Sequence, residues 1–103
     1  MLKLYKFFWD CGRMGEMEGL FVADDKIVAD TIGKELYFGE VLGKHSEIYG
    51  TLKKKDLTII SEDQEKINWL ADTVQSYSIS GWNPLDFTNE EDTYEDEEWK
   101  TLN

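Results

Sequence analysis

The chain has 103 residues, 41% of them hydrophobic and 14% aromatic, and this length and composition suit one folded domain. Its 22 acidic residues outnumber its 11 basic ones, and the net charge of −11 argues against direct binding to a nucleic acid backbone or to an anionic membrane. The charge instead favours a protein partner, in particular one that is basic or that itself binds nucleic acid.

The N-terminal part of the chain predicts an antiparallel pair of strands. Residues 2–9 are dense in Leu, Tyr, Phe and Trp and predict a strand near the middle of a sheet, and residues 19–23 predict its neighbour. The glycine-rich residues 10–19 between them form a connection longer than a hairpin requires.

This predicted loop, residues 10–19, is a first candidate partner-binding surface. Long loops often carry function, and flexible methionine side chains adapt to many surfaces, so the candidates are Arg13, Met14 and Met17. The alternative is that the two methionines fold back over the edge of the sheet. The glycines of the loop do not form G-x-G-x-x-G, so the loop predicts no nucleotide site.

A short helix over residues 25–32 and a hairpin over residues 34–52 are predicted next. The hairpin is the element on which we expect the other elements to pack. Alternation gives each run one apolar face, and the members of these faces are Leu36, Phe38 and Leu42, then Ile48, Gly50 and Leu52. Gly39 and Gly50 are the positions where we expect a bulge or a close backbone approach.

A lysine-rich turn, residues 53–56, is interpreted as solubilising the hairpin end and protecting a strand edge. Residues 57–60 then predict a fifth short strand. A second helix is predicted to begin at a capping box formed by Ser61 and Gln64. Its apolar side chains, Ile67, Leu70, Ala71 and Val74, recur at i, i+3, i+4 and i+7. Among them we expect Leu70 to be buried.

Residues 77–87 are expected to dock on the body of the domain as an extended segment with a turn at Asn83-Pro84. The composition then changes, since residues 88–103 hold seven acidic residues and one lysine. We therefore expect a domain over residues 1–87 and a disordered acidic tail over residues 88–103. Acidic residues mixed with aromatic ones also form binding motifs, so the tail is a second candidate partner-binding surface. Its candidate residues are Glu90, Glu91, Asp92, Tyr94, Glu95, Asp96, Glu97, Glu98 and Trp99.

The chain offers little for catalysis. A small enzyme or ligand binder would use Cys11, His45 and Arg13, because a nucleophile needs a base within hydrogen-bond reach. Nothing in the sequence brings them together, and a structural thiol beside a surface histidine is the alternative. One cysteine and one histidine make no zinc cluster, and the carboxylate pairs lack the spacing of a calcium loop. We expect no cofactor and no metal.

No apolar run approaches the roughly 20 residues of a membrane span, so we expect no membrane partner. The first residues lack the apolar core of a signal peptide. The single cysteine cannot form a disulfide within the chain. Together these features predict a cytoplasmic protein, while its oligomeric state is not predicted.

Three stretches carry a resemblance: DCGRMGEMEGLFV, GKELYFGEVLGKHSEIYGTL and SGWNPLDF. Together they resemble small, uncharacterised, acidic proteins of bacteriophage and bacterial mobile-element type. The resemblance covers residues 1–87 and implies no activity and no functional residue. Small acidic phage proteins include inhibitors of host defence, some of which mimic DNA.

The sequence therefore predicts a single α+β domain with an antiparallel sheet of about five strands and two helices, followed by the acidic tail. For function, it predicts a non-enzymatic protein-binding module. Its sharper form is an inhibitor that acts on a host protein through an acidic, DNA-mimicking surface. The alternative is the small enzyme or ligand binder, which three side chains converging in one pocket would favour.

Overall fold

A four-stranded antiparallel sheet runs through the centre of the computed structural model, which describes residues 1–88. A hairpin packs against one face of this sheet, and two helices complete the α+β domain. The strands are β1 (Leu2–Asp10), β2 (Glu16–Asp24), β3 (Glu35–Gly39), β4 (Ile48–Thr51), β5 (Leu57–Ser61) and β6 (Ser78–Gly81). The helices are α1 (Asp25–Thr31) and α2 (Gln64–Val74).

The predicted fold class is confirmed, but the strands are divided differently from the expectation of one five-stranded sheet. The larger sheet has the order β5–β1–β2–β6, and β3 and β4 form a second sheet of their own. The additional strand is β6, which lies within the segment that was predicted only to be extended. Its four residues follow α2 almost directly, and their serine-rich sequence gives little strand signal.

The main core lies on one face of β1 and β2. Tyr5 pairs with Phe21 across the two strands, and their rings stack with centroids 5.3 Å apart. Phe7, two residues further along the same face of β1, is buried with them. Burying each of these aromatic side chains contributes about 1.5–3 kcal/mol, so this face is the principal source of stability.

The predicted buried faces of the hairpin are confirmed in part, since Leu42 lies beyond the end of β3 and both Leu42 and Gly50 are only partly buried. Leu36 and Phe38 of β3 are buried, as are Ile48 of β4 and Leu52 just after it. Gly39 has a φ of +82° and sits at a register shift in the ladder, which confirms the predicted bulge. The centroid of the Phe38 ring lies 6.0 Å from that of Phe7 and 5.5 Å from that of Trp9. It lies 5.8 Å from the ring centroid of Trp82 and 4.5 Å from that of Phe87.

The connection between β1 and β2 is shorter than predicted. Only residues 11–15 join the two strands, and three of them form a 3-10 turn, Gly12–Met14. Met17 therefore belongs to β2 and is 0% exposed, inside the main core. The prediction of Met17 as a partner-binding residue is wrong, because its side chain is enclosed. Its acidic neighbours Glu16 and Glu18 point to the other face of the strand, and Gly19 interrupts the apolar alternation.

Gly19 lies inside β2 because another stretch of backbone passes directly over it. A Cβ at this position would overlap the carbonyl oxygen of Trp82. The Trp82 N–H donates to the carbonyl of Glu18 at 3.0 Å, which continues the pairing of β2 with β6. The predicted docking of residues 77–87 is confirmed by the side chains that pack against the main core, Trp82, Leu85 and Phe87.

Both helices are capped by the aspartate that precedes their first residue. The Asp24 carboxylate caps α1 by accepting from the Lys26 N–H at 2.8 Å. Asp63 caps α2 by accepting from the backbone N–H groups of the first turn. The predicted capping box at Ser61 is wrong, because Ser61 ends β5 and the side chain of Gln64 instead donates to the carbonyl of Leu2 at 2.7 Å.

The two helices cover different faces of the larger sheet. Val28 of α1 belongs to the main core. Ile67 of α2 is 1% exposed but lies outside that core, as does the buried Val22, whose side chain points away from it. Leu70, which was predicted to be buried, is only half-buried. Neither helix of residues 1–88 has the length and apolar character that a membrane span requires.

Two glycines in strands provide a matched test of the β2–β6 contact. We expect Gly19→Ala to lower the free energy of unfolding by about 3 kcal/mol or more, because the methyl group must displace the Trp82 backbone. Gly50→Ala in β4 is the control, since its Cβ would lie 3.5 Å from the Trp9 ring, an ordinary contact. This change should alter stability by less than about 1 kcal/mol. Urea unfolding followed by circular dichroism measures both, and equal effects would contradict the assigned packing.

Candidate functional site

A groove of about 530 Å³ lies between the hairpin and the end of β1. Residues 8–11 and Met14 form one wall, and residues 47–51, which include β4, form the other. The side chains at one end belong to the turn after β4, namely Lys53, Lys55 and Asp56. We call this concavity the β4 groove. Its volume is within the range of about 300–1,000 Å³ that is typical of binding pockets.

The outer edge of β4 is unpaired within residues 1–88. The Leu52 N–H donates to the Lys34 carbonyl at 3.0 Å, which directs the backbone groups of Leu52 toward the β3 side. Alternate residues of a strand direct these groups to opposite sides, so those of Tyr49 and Thr51 point toward the groove. No other strand of the described chain pairs there. An unpaired edge of this kind is a template for a further strand.

A buried carboxylate fixes one end of the groove. Asp56 is 8% exposed, and its Oδ2 accepts from the Trp9 Nε1–H and from the Lys53 N–H, each at 2.8 Å. The Nζ of Lys55 lies 3.8 Å from the other carboxylate oxygen. The Trp9–Asp56 bond links β1 to the turn before β5. These two elements are distant in the sequence, since Trp9 and Asp56 are 47 positions apart. The bonds to Asp56 also fix the backbone from which Lys53 extends.

Apolar side chains around the groove remain exposed. The exposed fractions of Phe8, Met14 and Tyr49 are 37%, 42% and 63%. Large apolar side chains that surround a concave surface indicate a contact site more strongly than scattered ones do. The groove therefore combines hydrogen-bonding backbone with apolar contact area.

The charge of the groove changes along its length. Lys53 and Lys55 are exposed at one end, and Lys54 lies between them in the sequence. Glu47 lines the groove at the other end of β4. The Lys53 end therefore favours acidic groups, although the protein as a whole is negative.

The structure places the residues that were singled out from the sequence in different regions. Cys11 and Met14 line the β4 groove, whereas Arg13 and His45 are exposed and do not line it. The three side chains of the enzyme alternative therefore do not share this groove. The predicted tail residues, 90–99, lie outside the described residues.

The surroundings of Cys11 disfavour a nucleophilic role. Burial raises the pKa of the thiol, and the neighbouring Asp10 carboxylate raises it further. The reactive form is the thiolate, which both effects destabilise. Within residues 1–88, no three His, Cys, Asp or Glu side chains lie close enough together to hold a metal ion.

Trp9, Tyr49 and Asp56 are site residues that were not predicted from the sequence. Alternation that directs Ile48 inward also directs Tyr49 outward, but it does not reveal what lies beside the strand. A tryptophan at the end of an apolar strand did offer a signal, since a partly buried indole N–H usually finds an acceptor. The acceptor lies too far along the chain to be identified from spacing.

Comparison with known proteins finds no matching family model, no matching curated protein and no matching solved structure. The resemblance to phage and mobile-element proteins stays a prediction.

Removal of the Asp56 carboxylate tests its role at the end of the groove. We expect Asp56→Ala to lower the free energy of unfolding by about 1–3 kcal/mol, because two donors lose their acceptor. Asp56→Asn keeps one carbonyl oxygen and should cost less. Urea unfolding gives the stabilities, and a shift of the Trp9 indole N–H resonance reports the lost bond. An unchanged resonance in Asp56→Ala would contradict the assigned bond.

The raised pKa of Cys11 predicts slow alkylation in the native protein. Iodoacetamide reacts with the thiolate, so at neutral pH the native chain should react several-fold more slowly than the urea-unfolded chain. The native rate should also begin to rise at a higher pH, since the fold disfavours the charged form. Native alkylation faster than that of the unfolded chain would support the enzyme alternative instead.

Proposed function

We propose that this protein is a non-enzymatic protein-binding module that accepts an extended segment of its partner along the unpaired edge of β4. The observation that carries the proposal is this edge, which lines a groove of about 530 Å³. When a peptide adds to a sheet edge, main-chain hydrogen bonds provide affinity and pockets for alternate side chains provide specificity. The proposal assigns the main-chain bonds to Tyr49 and Thr51.

The walls of the groove support a preference for particular segments. Phe8 and Met14 offer apolar surface to those side chains of the segment that point into the groove, and methionine adapts to different shapes. Lys53 and Lys55 favour an acidic residue at one end of the segment. The proposed ligand is therefore an extended segment with alternating apolar residues and an acidic end.

The wider role that we propose is inhibition of a host protein in the cytoplasm. The resemblance to phage proteins supports this role, and the single cysteine, which has no second cysteine to pair with, supports the compartment. A DNA-mimicking version is favoured by Asp10, Glu16 and Glu18, which are exposed on one face of the β1–β2 pair. In that version, the carboxylates replace phosphates in the groove of a basic partner.

Selection of peptides from a random displayed library, with the full chain as bait, tests strand addition. A selected peptide should slow hydrogen exchange at the amides of Tyr49 and Thr51, because these donors become paired. N-methylation of alternate peptide residues provides the sharper test. One alternate set should lose about tenfold or more in affinity, because two ladder bonds of about 0.5–1.5 kcal/mol each are removed.

Methylation of the other alternate set is the matched control, since those N–H groups would point to solvent. Equal sensitivity of the two sets, or protection confined to residues away from β4, would contradict strand addition. Competition by double-stranded DNA for a captured partner separates the mimicry version. DNA should displace a partner held through carboxylates and should leave peptide binding at β4 unchanged.

A further inference from the structure

The larger sheet ends at β5, whose outer edge has no partner strand among residues 1–88. In the strand order β5–β1–β2–β6, β5 pairs with β1 on its inner side. The three central residues of β5 are exposed, and the exposed fractions of Ile59 and Ile60 are 47% and 49%. An exposed apolar edge of this kind is a template for pairing with another chain.

The edge of β5 carries little of the protection that edge strands usually have. Proteins protect such an edge with charged residues, proline or a bulge. The sequence of β5 is LTIIS, which contains no charged residue and no proline. The strand does have a bulge between Ile59 and Ser61, but residues 57–59 pair with β1 in a regular register. At least this regular part of the edge is therefore open to a further strand.

The chain before β5 and the chain after it carry opposite charges. Residues 53–56, which precede the strand, hold three lysines and one aspartate, a net charge of +2. Residues 62–66, which follow it, hold three acidic residues and one lysine, a net charge of −2. The three lysines of the first group and the three acidic residues of the second are all exposed.

These charged groups are only weakly paired within the described part of the chain. Their ion pairs are long: Lys55–Asp56 at 3.8 Å, Lys66–Asp63 at 3.9 Å and Lys3–Glu62 at 4.0 Å. Long ion pairs of exposed side chains contribute little to stability. The charges on both sides of β5 are therefore available to a neighbouring chain.

We propose that β5 pairs with β5 of a second copy of this chain, antiparallel and around a two-fold axis at Ile59. Ile59 is the middle residue of the strand, so this axis places the lysines before β5 of each copy beside the acidic residues after β5 of the other. A parallel pair would instead place lysines beside lysines. The strand and its charged surroundings are thus complementary to themselves, as a two-fold contact requires. The two four-stranded sheets would join into one sheet of eight strands.

The net charge of −11 on each copy opposes this contact at long range. Salt screens exposed charges over about 8 Å at physiological ionic strength, so groups in direct contact act more strongly than distant ones. The proposed arrangement brings opposite charges into contact at both ends of the strand pair. It uses a different strand edge from the proposed function and does not depend on that function.

Sedimentation equilibrium of the full chain, over micromolar to millimolar concentrations, tests the proposal. The wild type should show a monomer–dimer equilibrium. Ile59→Lys should weaken the dimer about tenfold or more, because two lysines would meet on the axis. Ile27→Lys is the matched control, since Ile27 is a 55% exposed isoleucine of α1 that lines a cavity with Ser78 of β6, at the opposite edge of the sheet.

The control variant should associate as the wild type does. A wild type that stays monomeric at millimolar concentration overturns the proposal. A dimer that Ile59→Lys leaves unchanged also overturns it.

Hydrogen exchange tests the same contact without any substitution. The amides of residues 57–61 that do not donate to β1 should exchange several-fold more slowly at high protein concentration, because the dimer pairs them. The amides of Tyr49 and Thr51 should exchange at rates that do not depend on concentration. Concentration-dependent protection of those two amides instead of the β5 amides would assign the association to β4 and overturn the proposal.

A charge reversal separates local pairing from net charge. Glu62→Lys makes the chain less negative, which reduces the long-range repulsion between copies, yet it should weaken the dimer because it faces the lysines of the other copy. Asp86→Lys changes the net charge equally at an exposed site that lies with Ser78 beside β6, and it should not weaken the dimer. A stronger dimer in Glu62→Lys would overturn the antiparallel arrangement.

Discussion

The ring of Phe38, which belongs to the hairpin, packs against both the larger sheet and the segment that follows β6. It contacts Phe7 and Trp9 from β1, and Trp82 and Phe87 from the segment that follows β6. Such aromatic pairs contribute about 0.5–1.5 kcal/mol each beyond the burial of their area. The same packing fixes how the hairpin sits on the sheet, and so it fixes the distance between β4 and the end of β1. The β4 groove is therefore a consequence of core packing, with the end of β1 on one wall and β4 on the other.

The features that could be predicted from the sequence are those that depend only on residues close to one another along the chain. Alternation within the hairpin identified its buried faces because each strand carries its own period of two. The edge of β4 that is unpaired within residues 1–88 could not be predicted in this way, since an edge is defined by what does not pair with it. The Trp9–Asp56 bond and the contact of Gly19 with Trp82 join distant positions, and one sequence carries no record of such pairs.

The wrongly predicted starts of β2 and α2 have a related cause. Ser61 and Gln64 match a capping box, but the Gln64 side chain bonds to the carbonyls of Leu2 and Glu62, which leaves Asp63 as the cap. A tertiary contact thus outcompetes a local motif of similar energy. The enclosure of Met17 follows the same principle, because the core that it shares includes Leu36 and Phe38 from a later part of the chain.

Because the outer edge of β4 has no partner strand among residues 1–88, the charge around it affects what can pair there. An edge strand beside exposed apolar side chains favours pairing between copies, which most proteins prevent with charged residues. Two copies that each carry −11 repel one another. Lys53 and Lys55 at one end of the edge attract acidic groups, however. The net charge therefore opposes self-association, while the local lysines favour an acidic segment in the proposed strand addition.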